Sequence, residues 1–570
     1  MAALGLACVS APTIKTEAEK ASHGEFPERS ALEDLKKSPP PPALFDEKSV
    51  EPESWTSLGK LSPEERAALE QSPWEQEVIK RASQHAGLVA VTPEAECYAR
   101  EYAKFAQVYR AIPSRQLGDF LSGRCGMVDQ QIYTRILFGD VGERSDADIW
   151  GEWHGDFEKM LEDDYFNGVR TVAAAYVRDG DKVGIAFISA VRKAYLTETP
   201  KVAGDGTVVL SGQILDPTDR IYATANKGEL GYVECSQDEG VQLPQFRVRC
   251  ALDPKDALTR VDIASFPVGR ILGNTVADVW LSPDGSEPKQ WHRPTIAALA
   301  GTAEGADVQQ QLAAAVNAVR AKAGLPPMEI DQDESKTATG IAPYYFGAVT
   351  GNLNEAYADL IALGLMAGYD VKAVISHGLF AAGWARGDKS VASLIADAVA
   401  EPSRRAVLLD PAARRVAVGA IEDKDHKGVG AVFATYRVFE PTEITAEATK
   451  VRMELEKARN ERGLPPVLPL TAAEEPTASA LASVARGDLN AADALESAMS
   501  STVARANKGV RGWRYVTSDL EKIDWPKEIL QGVPQVHIDV THMKGDKEHP
   551  WGRYLIFILI AEGTPQGTTA

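Results

Sequence analysis

Val316-Asn-Ala-Val-Arg-Ala-Lys-Ala-Gly-Leu-Pro-Pro327 reappears downstream as Glu456-Lys-Ala-Arg-Asn-Glu-Arg-Gly-Leu-Pro-Pro466. Each copy reads as a helix closed by a glycine just past its end and by a proline pair that cannot continue it. An Ala/Ser/Thr-rich helix follows each, from Ser335 in one and Ala473 in the other. Self-similarity of this kind predicts a repeated architecture.

The ends of the repeats also match. Arg405-Ala-Val-Leu-Leu-Asp-Pro411 precedes Arg415-Val-Ala-Val-Gly-Ala-Ile421, a polar turn and Ala431-Val-Phe-Ala-Thr-Tyr-Arg-Val438. Pro526-Lys-Glu-Ile-Leu530 precedes Val536-His-Ile-Asp-Val-Thr541, a charged turn and Tyr554-Leu-Ile-Phe-Ile-Leu-Ile560. An earlier copy runs from Met160-Leu161 through Thr171-Val-Ala-Ala-Ala-Tyr-Val177 and the turn Arg178-Asp-Gly-Asp-Lys182 to Val183-Gly-Ile-Ala-Phe-Ile188. All three endings read as a helix and then a hairpin of β-branched and apolar residues. Helices ahead of an antiparallel pair give an α+β sandwich.

On these residues Val316 to Glu440 resembles a CAP domain, the superfamily of cysteine-rich secretory proteins, antigen 5 and pathogenesis-related proteins, particularly its bacterial members. The opening helix with Gly-Leu-Pro-Pro, Glu401-Pro-Ser-Arg-Arg-Ala-Val-Leu-Leu-Asp-Pro411 and the closing hairpin occur in the family's order. The resemblance implies an α+β fold of repeated CAP-like α-β-α sandwich modules. The second module, 305–440, matches best, and the third, 446–562, is more weakly similar. A helical lead-in and first module occupy 61–195. Between them, 196–286 holds short alternating runs such as Thr207-Val-Val-Leu-Ser-Gly-Gln-Ile-Leu215, separated by Gly, Pro, Asn and Asp. These predict a small all-β sandwich, serving as a spacer or a binding module.

CAP domains of this kind keep two histidines and two acids in a central cleft, a set able to hold a divalent cation. Counting from Gly324 and Gly463, the first histidine's place holds Ile341 and Ala480. The Gly-Glu-Asn element corresponds to Gly378-Leu379-Phe380, and the Ser/Gly-His-Arg element to Ser403-Arg404-Arg405. A guanidinium cannot ligate a cation and repels it. The cleft positions are therefore His377, Leu379, Arg404 and Arg405, with no metal, cofactor or catalytic residue expected. His377 reads as a loop histidine or a displaced ligand. His537, His542 and His549 cluster with Asp539, Asp546 and Glu548, but a spacing of five puts His537 and His542 on opposite strand faces. Trp150, Trp153 and His154 with Asp156 and Glu158 read as packing and helix solvation. No phosphate loop, nucleophile elbow or His-Glu-x-x-His pair occurs.

The chain has 570 residues, with 61 Lys+Arg against 81 Asp+Glu. A net charge of −20 disfavours nucleic acid as a partner. Met1-Ala-Ala-Leu-Gly-Leu-Ala-Cys8 resembles the tail of a bacterial lipoprotein signal, in which Cys8 carries lipid; the alternative is an incidental thiol. Residues 1–60 then read as a leader and disordered tether, rich in Glu, Lys, Ser and Pro and including Ser38-Pro-Pro-Pro-Pro42. The other four cysteines form two local pairs, Cys97 with Cys125 and Cys235 with Cys250, either disulfides of an oxidising compartment or buried thiols.

These features predict a non-catalytic protein of the bacterial envelope, lipid-anchored or secreted. It would bind an envelope protein, a polymer or a small apolar ligand. Alternatives are a metal-dependent hydrolase with a rearranged His/acid site in the first or third module, and a cytosolic scaffold with free thiols.

Overall fold

The structure, a computed structural model, describes residues 17–41, 49–162, 166–198, 200–256, 258–268, 270–284, 288–293, 307–385, 391–423, 428–440, 443–546 and 549–561. The chain is a mixed α/β protein with several small sheets.

Three four-stranded sheets share one strand order. The first runs Val89–Val91, Arg170–Asp179, Lys182–Val191, Gln130–Asp140. The second runs Glu329–Ile330, Arg415–Asp423, Gly428–Val438, Ile375–Ala385, and the third Leu468–Pro469, Gln535–Met543, Arg553–Ala561, Val510–Thr517. In each, the short opening strand pairs in parallel with the first arm of the hairpin, and the other pairings are antiparallel.

The long apolar hairpin strands follow from burial on both sides. In the third sheet Leu555, Phe557 and Leu559 join one apolar layer, while Ile556, Ile558 and Ile560 join the other. The helices Gln332–Val349 and Ala356–Ala367 cover one face of the second sheet, and Val308–Lys322 and Val391–Ala400 cover the other. The first sheet lies likewise between the helix pair Pro93–Tyr109 and Arg115–Cys125 and the pair Pro73–Ser83 and Asp146–Leu161.

The repeated motif has a physical cause. Gly87, Gly324 and Gly463 lie in the turns that follow the corresponding helices, with φ of +87°, +73° and +67°, a region L side chains disfavour. Four residues before the latter two sit Arg320 and Arg459, both 0% exposed. Arg320 Nε donates to the Pro326 carbonyl at 2.9 Å, and its other nitrogens donate to Leu408, Asp410 and Ala413 at 3.0, 3.0 and 3.3 Å. Arg459 Nε likewise donates to the Pro465 carbonyl at 2.9 Å, and its other nitrogens reach Ile529 and Gly532. Each guanidinium thus fastens its own Gly-Leu-Pro-Pro turn to the loop leading into the hairpin.

Between the first and second of these units, two four-stranded sheets face each other across an apolar core containing Val208, Phe246, Val261 and Val279. Disulfides link Cys235 to Cys250 within this sandwich and Cys97 to Cys125 between two helices of the first unit. Such bonds point to an oxidising, extracytoplasmic environment. Among the described residues no helix is long and apolar enough to cross a membrane. With sequence separations of 28 and 15, each bridge is expected to contribute on the order of 3 kcal/mol by restricting the unfolded chain. Melting with and without dithiothreitol checks this, and an unchanged midpoint would contradict it.

Residues 17–41 depart from the expected tether, while Cys8, like the rest of 1–16, lies outside the described residues. Ala18, Ala21, Ala31, Leu32 and Leu35 are buried in one core with Ile341, Leu360 and Tyr436. Tyr344 and Tyr369 donate their hydroxyls to the carbonyls of Ser38 and Pro27, and Arg29 pairs with Asp370 at 2.6 Å. The polar composition hides an apolar stripe, Ala31, Leu32 and Leu35, that the helix Arg29–Leu35 turns to one side. Residues 49–60 are also placed, with strands Ser49–Val50 and Ser54–Thr56 paired to Ile112–Pro113 and Gln290–His292.

Candidate functional site

A cavity of about 190 Å³ lies where the first unit, the sandwich and the second unit meet. The helix Arg115–Cys125, capped by Ser114, places Arg115, Asp119 and Phe120 one turn apart on its wall. From the sandwich come Leu258, Arg260 and Trp280, the last two directly opposite each other in register. Trp291 and His292 follow from the strand Gln290–His292, and Asp397, Ala400, Glu401 and Arg404 from the break between the helices Val391–Ala400 and Pro402–Leu408. That break is local chemistry, since Pro402 opens the second helix and cannot continue the first.

The polar side of the cavity is an ion network. Arg260, 6% exposed, grips Asp278 with two nitrogens at 2.9 and 2.7 Å, Asp119 at 3.0 Å and Asp262 at 3.5 Å. Asp262 faces Asp278 across the strand pair, an arrangement that the guanidinium between them makes tolerable. Burial raises both carboxyls, and the charge of Arg260 opposes that rise. Ser403 joins the second unit to this cluster, its backbone N–H and hydroxyl donating to Asp262 at 3.2 and 3.0 Å. Glu401 takes Arg115 at 2.9 Å and Arg404 at 3.2 Å on the same oxygen, Oε2. Burial pushes Glu401 up, but Arg404, Arg115 and Arg260 outweigh it and hold the carboxyl at about 2.

The apolar side is Phe120, Leu258, Trp280, Trp291 and Ala400. Arg115 also lies 5.8 Å from the ring of Trp384, and Arg260 lies 5.5 Å from that of Trp280. The indole N–H of Trp280 is buried without a hydrogen-bond partner among the described residues. An apolar wall with convergent polar groups is the usual make-up of a small-molecule site.

The four cleft positions expected from sequence do not converge. Arg404 is in the cavity wall, whereas Arg405 turns to the sandwich and donates to the Gly231 carbonyl at 2.8 Å and to Val399. Burial lowers the Arg405 guanidinium to about 10. Leu379 lies in the strand Ile375–Ala385, opposite Thr435. His377 is covered by Trp551 of the third unit, ring centroids 4.4 Å apart, and burial followed by Arg437 lowers its pKa. Ile341 and Ala480 are core residues.

In the third unit His542 pairs with Glu447 at 2.6 Å and stacks on Phe439, while His537 stands 4.0 Å from Asp539. Asp546 binds Arg553 and the backbone N–H of His549, and Glu548 is outside the described residues. Trp150 packs against Trp74, and His154 pairs with Glu158 at 3.5 Å. Among the described residues no group of three His, Cys, Asp or Glu could hold a metal ion. Sequence reasoning missed Arg115, Asp119, Arg260, Trp280 and Glu401. The one local signal was Glu401-Pro-Ser-Arg404, whose polar residues flank a helix break.

No protein-family model matches the chain, and no curated protein does. The solved structure of a cysteine-rich secretory protein from Staphylococcus aureus is similar over 43% of this chain and 84% of its own, at 11% identity and a TM-score of 0.18. A β-1,2-glucanase from Parabacteroides distasonis is similar over 32% of this chain and 27% of its own, at 9% identity and a TM-score of 0.12. Neither likeness assigns this chain to a family.

Proposed function

We propose that this chain is an extracytoplasmic binding protein without chemistry of its own, built from three degenerate CAP modules around a β-sandwich. Its ligand, on this reading, is a small and largely apolar molecule seated in the cavity between the first unit, the sandwich and the second. The observation that carries the reading is the cavity itself, about 190 Å³ and walled by Phe120, Leu258, Trp280 and Trp291. A dry cavity of about 150 Å³ already takes a benzene-sized guest. The CAP reading is supported by the Gly-Leu-Pro-Pro repeat and by the strand order that three sheets share. In its second and third copies the family's first histidine is replaced by Ile341 and Ala480, both buried in cores. Two disulfides support the location. Cys8 is the proposed point of lipid attachment, and the intact mass of protein from its native membrane is expected to carry the acyl groups.

Benzyl alcohol is the probe for the cavity. Saturation-transfer NMR on the full chain is expected to show its ring signals, and Ala400→Trp, which fills the cavity, to remove them without lowering the melting midpoint. Equal signals from both proteins would overturn the assignment.

A further inference from the structure

The charges around Glu401 go further than shape. Two guanidiniums, Arg115 and Arg404, share a single carboxylate oxygen. Among the described residues neither has another ion-pair partner. A guanidinium offers five N–H donors, so one shared oxygen leaves most of them unanswered by a carboxylate. Burial and the like charges of Arg115 and Arg260 lower the Arg404 guanidinium, with Glu401 opposing them, whereas Glu401, Asp119 and Asp397 together outweigh burial and raise Arg115. The acids on the wall have other neighbours besides these two cations, although Asp119 and Asp397 also act on Arg115 through space. Asp119 is turned to Arg260 at 3.0 Å, the second oxygen of Glu401 accepts from the Ser403 hydroxyl at 3.3 Å, and Asp397 has an interaction of its own. The apolar wall lies across the same cavity, with Arg115 38% exposed.

We propose that the ligand is an amphipathic monocarboxylate. Its carboxylate would be held by the Arg115 and Arg404 guanidiniums beside Glu401, and its aryl or short alkyl body would lie against Trp280, Phe120 and Leu258. Planar guanidinium and carboxylate match in geometry, and the pairing is strengthened where water is excluded. This rests on the reading of the cavity as a ligand site, and the test separates the two.

Calorimetric titration of the full chain would compare 3-phenylpropanoate with 3-phenylpropan-1-ol, and hexanoate with hexan-1-ol. Each acid is expected to bind roughly tenfold or more tightly than its alcohol, the difference shrinking as salt rises. Arg404→Gln is expected to abolish that preference while leaving the alcohols unchanged. Arg115→Gln gives the same readout at a more exposed side chain should Arg404→Gln fail to fold. Alcohols binding as tightly as acids, or a preference surviving both substitutions, would overturn the carboxylate assignment alone. No binding by any of the four probes would overturn the cavity reading and this inference with it.

Discussion

Arg320→Ala is expected to destabilise the second unit by about 3 to 5 kcal/mol, with urea unfolding as the measurement. The side chain is fully buried and donates to four backbone carbonyls, those of Pro326, Leu408, Asp410 and Ala413. Truncation strands all four, at roughly 1 kcal/mol or more for each buried acceptor that water does not reach. Lysine keeps the charge but presents one compact ammonium instead of a planar fork, so Arg320→Lys is expected to lose about half as much. Arg459→Ala should produce a loss of similar size in the third unit, because Pro465, Ile529 and Gly532 occupy the corresponding places. The two sites share no partner, and their effects should add. Wild-type unfolding of Arg320→Ala would show that the arginine does not fasten the Gly-Leu-Pro-Pro turn.

Two buried carboxyls are together expected to lower stability by about 3 kcal/mol between pH 6.5 and 8. The groups responsible are Glu75 and Glu334, both 0% exposed, each with one oxygen accepting a single backbone N–H, from Ala174 and Asp370 respectively. Burial pushes each carboxyl up to about 8, and the one hydrogen bond only partly offsets it. In the unfolded chain both are ordinary glutamates, ionised above about pH 4.3. The folded state therefore holds two protons that the unfolded state has released. Their stabilising effect is complete below the unfolded value and is lost as pH rises through 8. The depressed carboxyl of Glu401 and the lowered His377 act at lower pH, whereas Asp278, which burial also raises to about 8 against the charge of Arg260, adds to the fall in the same window. Glu75→Gln and Glu334→Gln should each remove roughly a third of the slope in denaturation midpoints measured across the range, Asp278 accounting for the remainder. A flat profile in the wild-type protein would contradict the assignment.

The helix ends at Gly324 and Gly463 are legible in sequence because glycine and proline act on the backbone next to them, whatever the rest of the chain does. The two cysteine pairs are legible because their partners are close in sequence. Arg320 and Arg459 stand inside the repeat, yet nothing local shows that an arginine there is buried, since apart from the Pro326 and Pro465 carbonyls its acceptors lie beyond residue 407 in one copy and 528 in the other. The cavity was hidden for the same reason on a larger scale, because its walls come from residues 115–120, 258–292 and 397–404. In sequence Arg404 reads only as a replaced ligand, and its partnership with Arg115 depends on how three separate units dock. Residues 17–41 mislead through composition. Their Glu, Lys, Ser and Pro content describes the solvent side of a segment whose few apolar residues are spaced to face a neighbour.

Leu32 packs over Gly364, roughly 330 residues further along the chain. At synthesis rates of about 5 to 20 residues per second, that gap amounts to tens of seconds during which residues 17–41 have emerged and their resting place does not yet exist. Residues 17–41 thus reach their packed state only once the second unit has been made, and their alanines and leucines stay without that cover meanwhile.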